Sequence, residues 1–240
     1  MVAVSWMAGT KDSHAILDYC DCSGYLWIVA CASLKTSITV NDRPIGIIDS
    51  GLGGLTIWVW LRKLLPDEST HYLADHAWVP YSGKSRSVIA ERLKSLIADL
   101  LRKNCKLVVI ACNTATVAGI EEYRKWFPNV PIIGVVPVVK TAANVSKTRT
   151  FAVLSTEHTA KSGYLARLID EFARDCKVGP IGCPQLVELV ESERTRGSDV
   201  RRALRTVLSP LDPRVDTIVL GCTHFPFLAP EIRAIVGDGV

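Results

Sequence analysis

The chain has 240 residues, enough for one large domain or two smaller lobes, each with a core of its own. Its hydrophobic share of 48% and charged share of 22% exclude a disordered or fibrous chain. The net charge of +4 is spread over both halves without a basic stripe or interleaved aromatics, which argues against a nucleic-acid surface.

Residues 1–44 contain three cysteines and two tryptophans but sustain neither a helical nor a strand period, so an irregular N-terminal extension is expected there. From Ile45 onward, short apolar runs alternate with longer segments of helical period, the pattern of βαβ units around a parallel sheet. Residues 45–48 read as a strand, 55–65 as a helix stopped by Pro66, and 70–74 as a second strand. A helix follows over 87–104, with Ile89, Leu93, Leu96, Ile97 and Leu100 on one face. A strand ends at Ala111, a helix covers 114–125, and a strand at 131–135 closes the first lobe. Pro137 opens a helix that begins the second lobe. That lobe is expected to hold a strand at 151–154, a helix over 160–176, short helices at 186–191 and 199–208, and a strand ending at Gly221. A final helix at 226–236 is expected to return to the first lobe. The fold class is therefore α/β: two similar βαβ lobes with parallel sheets, 45–136 together with 225–240, and 137–224, with the active site in the cleft between them.

No apolar stretch reaches the about 20 residues of a membrane helix, and Asp18 and Asp21 interrupt what would otherwise resemble a signal-peptide core. Eight cysteines at irregular spacing form no disulfide framework, which points to reduced thiols in the cytoplasm. Two glycine signatures fail on inspection. Gly51-Leu52-Gly53-Gly54 would need its third dinucleotide glycine at Thr56, and Gly83-Lys84-Ser85 would need a phosphate-loop glycine at Trp78. Cys20, Cys22 and Cys31 lack a partner pair or a nearby histidine, so no metal site is expected.

Two cysteines stand in near-matching settings. The apolar run 107–111 leads into Cys112-Asn113-Thr114, and the run 217–221 leads into Cys222-Thr223-His224. Each thiol is thus placed at the C-terminal end of a buried strand just before a helix, where parallel sheets bind ligands and free helix N–H groups attract anions. Two thiols facing one pocket from two halves of a chain suggest a pair of proton-transfer groups. His224, two positions from the second thiol, is either structural or a partner in that proton transfer. Asp49-Ser50-Gly51 ends the first strand, and its polar side chains either cap the next helix or meet a ligand; Asn113 and Thr114 present the same choice. Cys105, Cys176 and Cys183 read as small buried hydrophobes.

These residues together resemble bacterial glutamate racemase. The resemblance rests on the runs 45–56 (IGIIDSGLGGLT), 111–115 (ACNTA) and 220–226 (LGCTHFP), supported by Asp75 with Val79-Pro80-Tyr81, by Gly134-Val135-Val136-Pro137, and by Cys183-Pro184 followed by Leu189-Val190-Glu191. It spans roughly residues 45 to 236 in the family's order. It implies racemisation of L- and D-glutamate without cofactor or metal, supplying D-glutamate to peptidoglycan. Cys112 and Cys222 match the family's two catalytic cysteines, Asp49 the acid beside the first, and Glu191 and His224 those beside the second. Asp49, Ser50, Tyr81, Ser82, Asn113, Thr114, Thr223 and His224 match the substrate-binding positions. The partner implied is the small-molecule substrate glutamate, with no nucleic acid or membrane; the oligomeric state stays open, a homodimer being one option.

The chain departs from the family pattern in three places. Ser82 stands where the family has the glycine of Pro-Tyr-Gly, the family continues past the position of Val240 with another strand and helix, and residues 1–44 match none of the motifs. The alternatives are an aspartate or other amino-acid racemase of the same superfamily, or an inactive binding protein with a shortened C-terminus. The aspartate type carries Glu where His224 stands, and the presence of all five acid/base residues argues against decay.

Overall fold

The computed structural model describes residues 5–10, 13–17, 41–237 and 239–240. Two strands, β1 (Ser5–Thr10) and β2 (Ser13–Leu17), precede β3 (Ile45–Asp49), α1 (Leu55–Leu64), β4 (Thr70–Ala74), α2 (Arg86–Arg102) and β5 (Leu107–Ile110). Next come α3 (Asn113–Trp126), β6 (Ile132–Val136), α4 (Val139–Val145), β7 (Thr150–Ser155), α5 (Glu157–Ala160) and α6 (Gly163–Phe172). The chain ends with β8 (Lys177–Gly182), α7 (Pro184–Glu191), α8 (Ser198–Leu208), β9 (Thr217–Leu220) and α9 (Ala229–Val236).

The strands form two sheets. The first has the order β2-β1-β6-β5-β3-β4 and the second β8-β7-β9. Strands β3 to β6 run parallel, as do β7, β8 and β9, so each sheet needs helices to cover its faces. The central strands accordingly read as unbroken apolar runs: Ile47, Ile48, Val108 and Ile110 in the first sheet and Phe151 to Leu154 in the second are all buried. Helix α2 presents Ile89, Leu93, Leu96, Ile97 and Leu100 to the first core, the face expected from its period.

Three expectations are corrected. The N-terminal stretch is not wholly irregular, because β1 and β2 form an antiparallel ribbon whose β1 pairs with β6, placing Trp6 opposite Val135; the rest of the cysteine-bearing part of 1–44 lies outside the described residues. The segment 225–240 does not return to the first lobe. Leu228 and Ile232 pack with Leu154, Leu186, Val200 and Leu204 in the second core instead, because the apolar face of α9 has a matching apolar partner in α8. Finally, the helix expected over 160–176 is shorter and divided: Thr156 caps α5, Ser162 caps α6, and 177–182 is a strand. That strand was hidden by Gly179 and Pro180, residues tolerated at a sheet edge because an edge strand leaves one side of its backbone unpaired.

Strands β3 and β5 of one sheet and β9 of the other bring their C-terminal ends toward each other, and Asp49-Ser50, Cys112-Asn113-Thr114 and Cys222-Thr223-His224 lie at or directly after those ends. Among the described residues no helix is long and apolar enough to cross a membrane. Because Leu228 is fully buried in the second core, Leu228→Ala is expected to cost about 2–5 kcal/mol, read as a lower midpoint in urea unfolding.

Candidate active site

Asp49 is fully buried at the end of β3. Its side chain lies against Gly54, the residue that precedes α1. Oδ2 accepts from the Gly51 N–H at 2.9 Å, and Oδ1 accepts from the Thr223 hydroxyl at 3.4 Å. Burial is the largest influence on this carboxyl and pushes its pKa up, against the His224 charge and the N–H groups of Gly51 and Gly54, which pull it down.

Cys112 follows β5 at the N-terminus of α3, with 5% of its surface exposed. Its Sγ lies 3.6 Å from the Ser50 hydroxyl. Burial and then the Asp49 charge push the thiol up to about 12, although the Ala115 N–H and the Ser50 hydroxyl favour the thiolate. The Cys222 charge adds a smaller upward push.

Cys222 follows β9 and is equally buried. Its partner is different: Sγ lies 3.6 Å from His224 Nδ1, and His224 Nε2 lies 2.5 Å from Glu191 Oε1. Burial alone would lower the His224 pKa. The contacts with Cys222 and Glu191 and the nearby Asp49 outweigh it and hold the imidazole at about 10. Glu191 is held below the usual carboxylate range: burial opposes this, but the His224 hydrogen bond, the Leu52 N–H at 2.9 Å and the charge of His76 prevail.

The glycine-rich turn after β3 makes this contact between lobes possible. A Cβ at Gly51 would collide with the Glu191 carboxylate, and one at Gly53 with the His224 ring. Close approach rather than unusual backbone geometry is what these glycines supply. Two further ties cross the cleft: the Thr56 hydroxyl donates to the Thr223 carbonyl at 3.1 Å, and the Thr114 and Thr156 hydroxyls are 2.8 Å apart.

Of the residues expected at the site, Asp49, Ser50, Cys112, Cys222, Thr223, His224 and Glu191 form one connected cluster. Thr114 lies at the lobe boundary, and the Asn113 amide lies 3.4 Å from the Val135 carbonyl. Tyr81 is buried and its hydroxyl donates to Asp75 Oδ2 at 2.7 Å, while Arg92 grips both oxygens of that carboxylate. Burial works against ionisation of Asp75, yet Arg92 and Tyr81 hold its pKa low. Ser82 stands apart, lining a cavity of about 460 Å³ with Arg86, Glu121, His158 and Lys161.

Sequence reasoning missed Thr156, Tyr72 and His76. A Ser-Thr pair ending an apolar strand, as in Ser155-Thr156, was a readable signal for the first. The Tyr72 hydroxyl donates to the Gly51 carbonyl at 3.0 Å, and His76 reaches Glu191; neither has a local signature, since both contacts span the fold.

Two buried thiols thus follow strands of the two sheets, each beside an ionisable side chain, Asp49 at Cys112 and His224 at Cys222. The chain belongs to the Asp/Glu/hydantoin racemase family, whose model matches residues 59–240. It is 42% identical over 201 residues to the glutamate racemase of Ectopseudomonas mendocina, covering 83% of this chain and 76% of that protein. Among solved structures it is similar to Escherichia coli glutamate racemase in complex with L-glutamate and the activator UDP-MurNAc-Ala. That match has a TM-score of 0.76 at 35% identity, over 82% of this chain and 76% of the other. It is also similar to the Thermus thermophilus glutamate racemase in complex with β-chloro-D-alanine, with a TM-score of 0.70 at 34% identity, over 83% and 74% of the two chains.

Because the His224 pKa of about 10 lies above its ordinary 6.5, the folded chain binds this proton more tightly than the unfolded one. The stabilisation is complete below pH 6.5 and is lost as the pH rises through about 10. The urea midpoint is therefore expected to fall across that window, and to fall less steeply in His224→Gln. Cys112, pushed up to about 12, holds little thiolate near neutrality. In a Cys222→Ser background, peptide-resolved alkylation of Cys112 by iodoacetamide should rise steadily from pH 7 to 10 without a plateau.

Proposed function

We propose that the chain racemises glutamate by proton transfer between Cys112 and Cys222, without a cofactor. The observation that carries this reading is the pair of buried thiols that follow strands of the two sheets, one beside Asp49 and the other beside the His224–Glu191 pair. Inversion at a carbon requires an acid and a base on opposite faces, and one thiol from each lobe meets that requirement.

In the L-to-D direction, the Cys222 thiolate takes the α-proton and the Cys112 thiol delivers its own to the opposite face of the carbanion. Cys222 ends protonated and Cys112 ionised. The reverse reaction exchanges the roles. His224 stabilises the Cys222 thiolate as an imidazolium, and Asp49 is placed to assist Cys112. The substrate's α-ammonium would partly offset the Asp49 charge that makes Cys112 a weak acid. Ser50, Asn113, Thr114 and Thr223 offer hydroxyl or amide donors to the carboxylates, together with the N-terminus of α3. Both thiols are about 5% exposed, so substrate enters when the lobes separate and the ties across the cleft give way. The resulting D-glutamate would serve peptidoglycan synthesis in the cytoplasm, the role of the family.

The test is incubation with L-glutamate in deuterated water, following the α-proton signal and the optical rotation together. Both should decay, the rotation to zero. Cys112→Ser and Cys222→Ser should each slow the decay by several orders of magnitude with unchanged circular dichroism, since serine keeps the shape but is a far weaker acid. Undiminished activity in either variant would refute the two-thiol mechanism.

A further inference from the structure

Tyr72 lies on β4, the edge strand of the first sheet, paired with Ile47 of β3, and belongs to none of the motifs that mark the site. Its ring and that of Trp58 pack against the apolar cluster of Ile45, Ile47, Ile57 and Leu61. The hydroxyl reaches the glycine-rich turn after β3, where it donates to the Gly51 carbonyl at 3.0 Å. A Cβ on Gly54 would stand 2.7 Å from that hydroxyl, so the turn closes around it. Burial, then the charges of Asp49, Cys112 and Glu191, push the Tyr72 pKa up, which keeps the proton on the phenol and the group a donor.

The carbonyl that Tyr72 holds and the Leu52 N–H that meets Glu191 are the two ends of one peptide unit. That unit is planar and trans, so its C=O and N–H point in opposite directions, and fixing one fixes the other. The tether is needed because Gly51 must remain a glycine. A Cβ there would collide with the Glu191 carboxylate, and a glycine puts no side chain in the way of rotation of the peptide that follows it. Beyond the peptide, a single oxygen does the aiming. Glu191 Oε1 accepts from the Leu52 N–H at 2.9 Å and from His224 Nε2 at 2.5 Å, while Oε2 makes no hydrogen bond among the described residues. As an imidazolium His224 donates at both nitrogens, and its Nδ1 faces Cys222 Sγ at 3.6 Å. We propose that Tyr72 is a positioning residue for Cys222: its hydroxyl fixes the Gly51–Leu52 peptide, the peptide fixes the Glu191 carboxylate, and the carboxylate orients His224 on the thiol. This rests on the racemase reading.

The effect runs against simple proximity. Cys112, in the same lobe, is the thiol whose charge reaches Tyr72, yet its setting does not pass through the tethered peptide. The Gly51 N–H that holds Asp49 Oδ2 belongs to the preceding peptide unit. The Gly51–Leu52 plane can turn about the bonds that flank it without moving that N–H. Loss of the Tyr72 hydroxyl therefore falls on the thiol of the second lobe and spares the thiol of its own.

Racemisation itself does not separate the two sides, since each direction uses both thiols. Elimination does, because it needs one base. With chloride on the β-carbon of glutamate, a thiolate takes the α-proton, the electron pair of the C–H bond forms the Cα–Cβ double bond, and chloride leaves. Water then hydrolyses the enamine to 2-oxoglutarate and ammonium, and the 2-oxo acid is measured. Tyr72→Phe, which keeps the ring, is placed in Cys112→Ser, where Cys222 acts on the L analogue, and in Cys222→Ser, where Cys112 acts on the D analogue. The kcat/KM for the L analogue should fall about 2- to 10-fold, the range that one neutral hydrogen bond supplies, and that for the D analogue should stay unchanged. A substitution that only loosened the turn would lower both. A loss as large with the D analogue as with the L analogue, or no loss with the L analogue, overturns the role of Tyr72 and leaves the racemase reading intact. Elimination from neither analogue with Tyr72 in place overturns the two-thiol racemase reading itself, and the positioning role falls with it.

Discussion

The carboxylate of Glu191 is held from both lobes at once, and the geometry of the cleft depends on it. Helix α7 carries it from the second lobe into contact with the Leu52 N–H of the first, against the glycine-rich turn that follows β3. A charge so placed persists only where partners compensate its lost hydration, and removing one partner of a buried pair typically costs 3–5 kcal/mol. His224 and Leu52 supply that compensation, and in doing so they set the separation of the two sheets' strand ends. The missing Cβ atoms of Gly51 and Gly53 are therefore part of the electrostatics, since a Cβ there would displace the Glu191 carboxylate or the His224 ring.

The two thiols share a position in their lobes but not a chemical setting. Cys112 has a carboxylate for its charged neighbour and is a very weak acid, whereas Cys222 has an imidazole whose pKa is raised by its contacts with Cys222 itself and then with Glu191. An environment that differs on the two sides suits a reaction that needs an acid and a base simultaneously, because one group must hold its proton while the other has given its proton up. The hydroxyl ties between Thr114 and Thr156 and between Thr56 and Thr223 add directional contacts at the lobe boundary that can break one by one.

Much of this was legible in the chain itself. The βαβ alternation from Ile45 onward marks parallel sheets because a strand buried on both faces must be apolar throughout and its crossover helix must be amphipathic, which are local requirements on residue type. The positions of Asp49, Cys112 and Cys222 followed from the same logic, since each ends an apolar run. The edge strand β8 was not legible, because Gly179 and Pro180 carry no strand preference and the pairing with β7 is supplied from elsewhere in the chain. Nor was the pairing of β1 with β6 or the docking of α9 on α8, which depend on which apolar face finds which partner.

The sequence by itself determined the α/β class and the placing of Asp49, Cys112 and Cys222 at the ends of apolar strands, because short-range periodicity and motif chemistry are written in neighbouring positions. Only the tertiary structure decided that Asp49 accepts from Thr223, that Glu191 reaches across to Leu52, and that the rim residue His76 meets the buried end of the same carboxylate. Those contacts join residues far apart in the chain, and whether a charged side chain finds a partner or is left buried without one depends on the packing of both lobes, which no local pattern encodes.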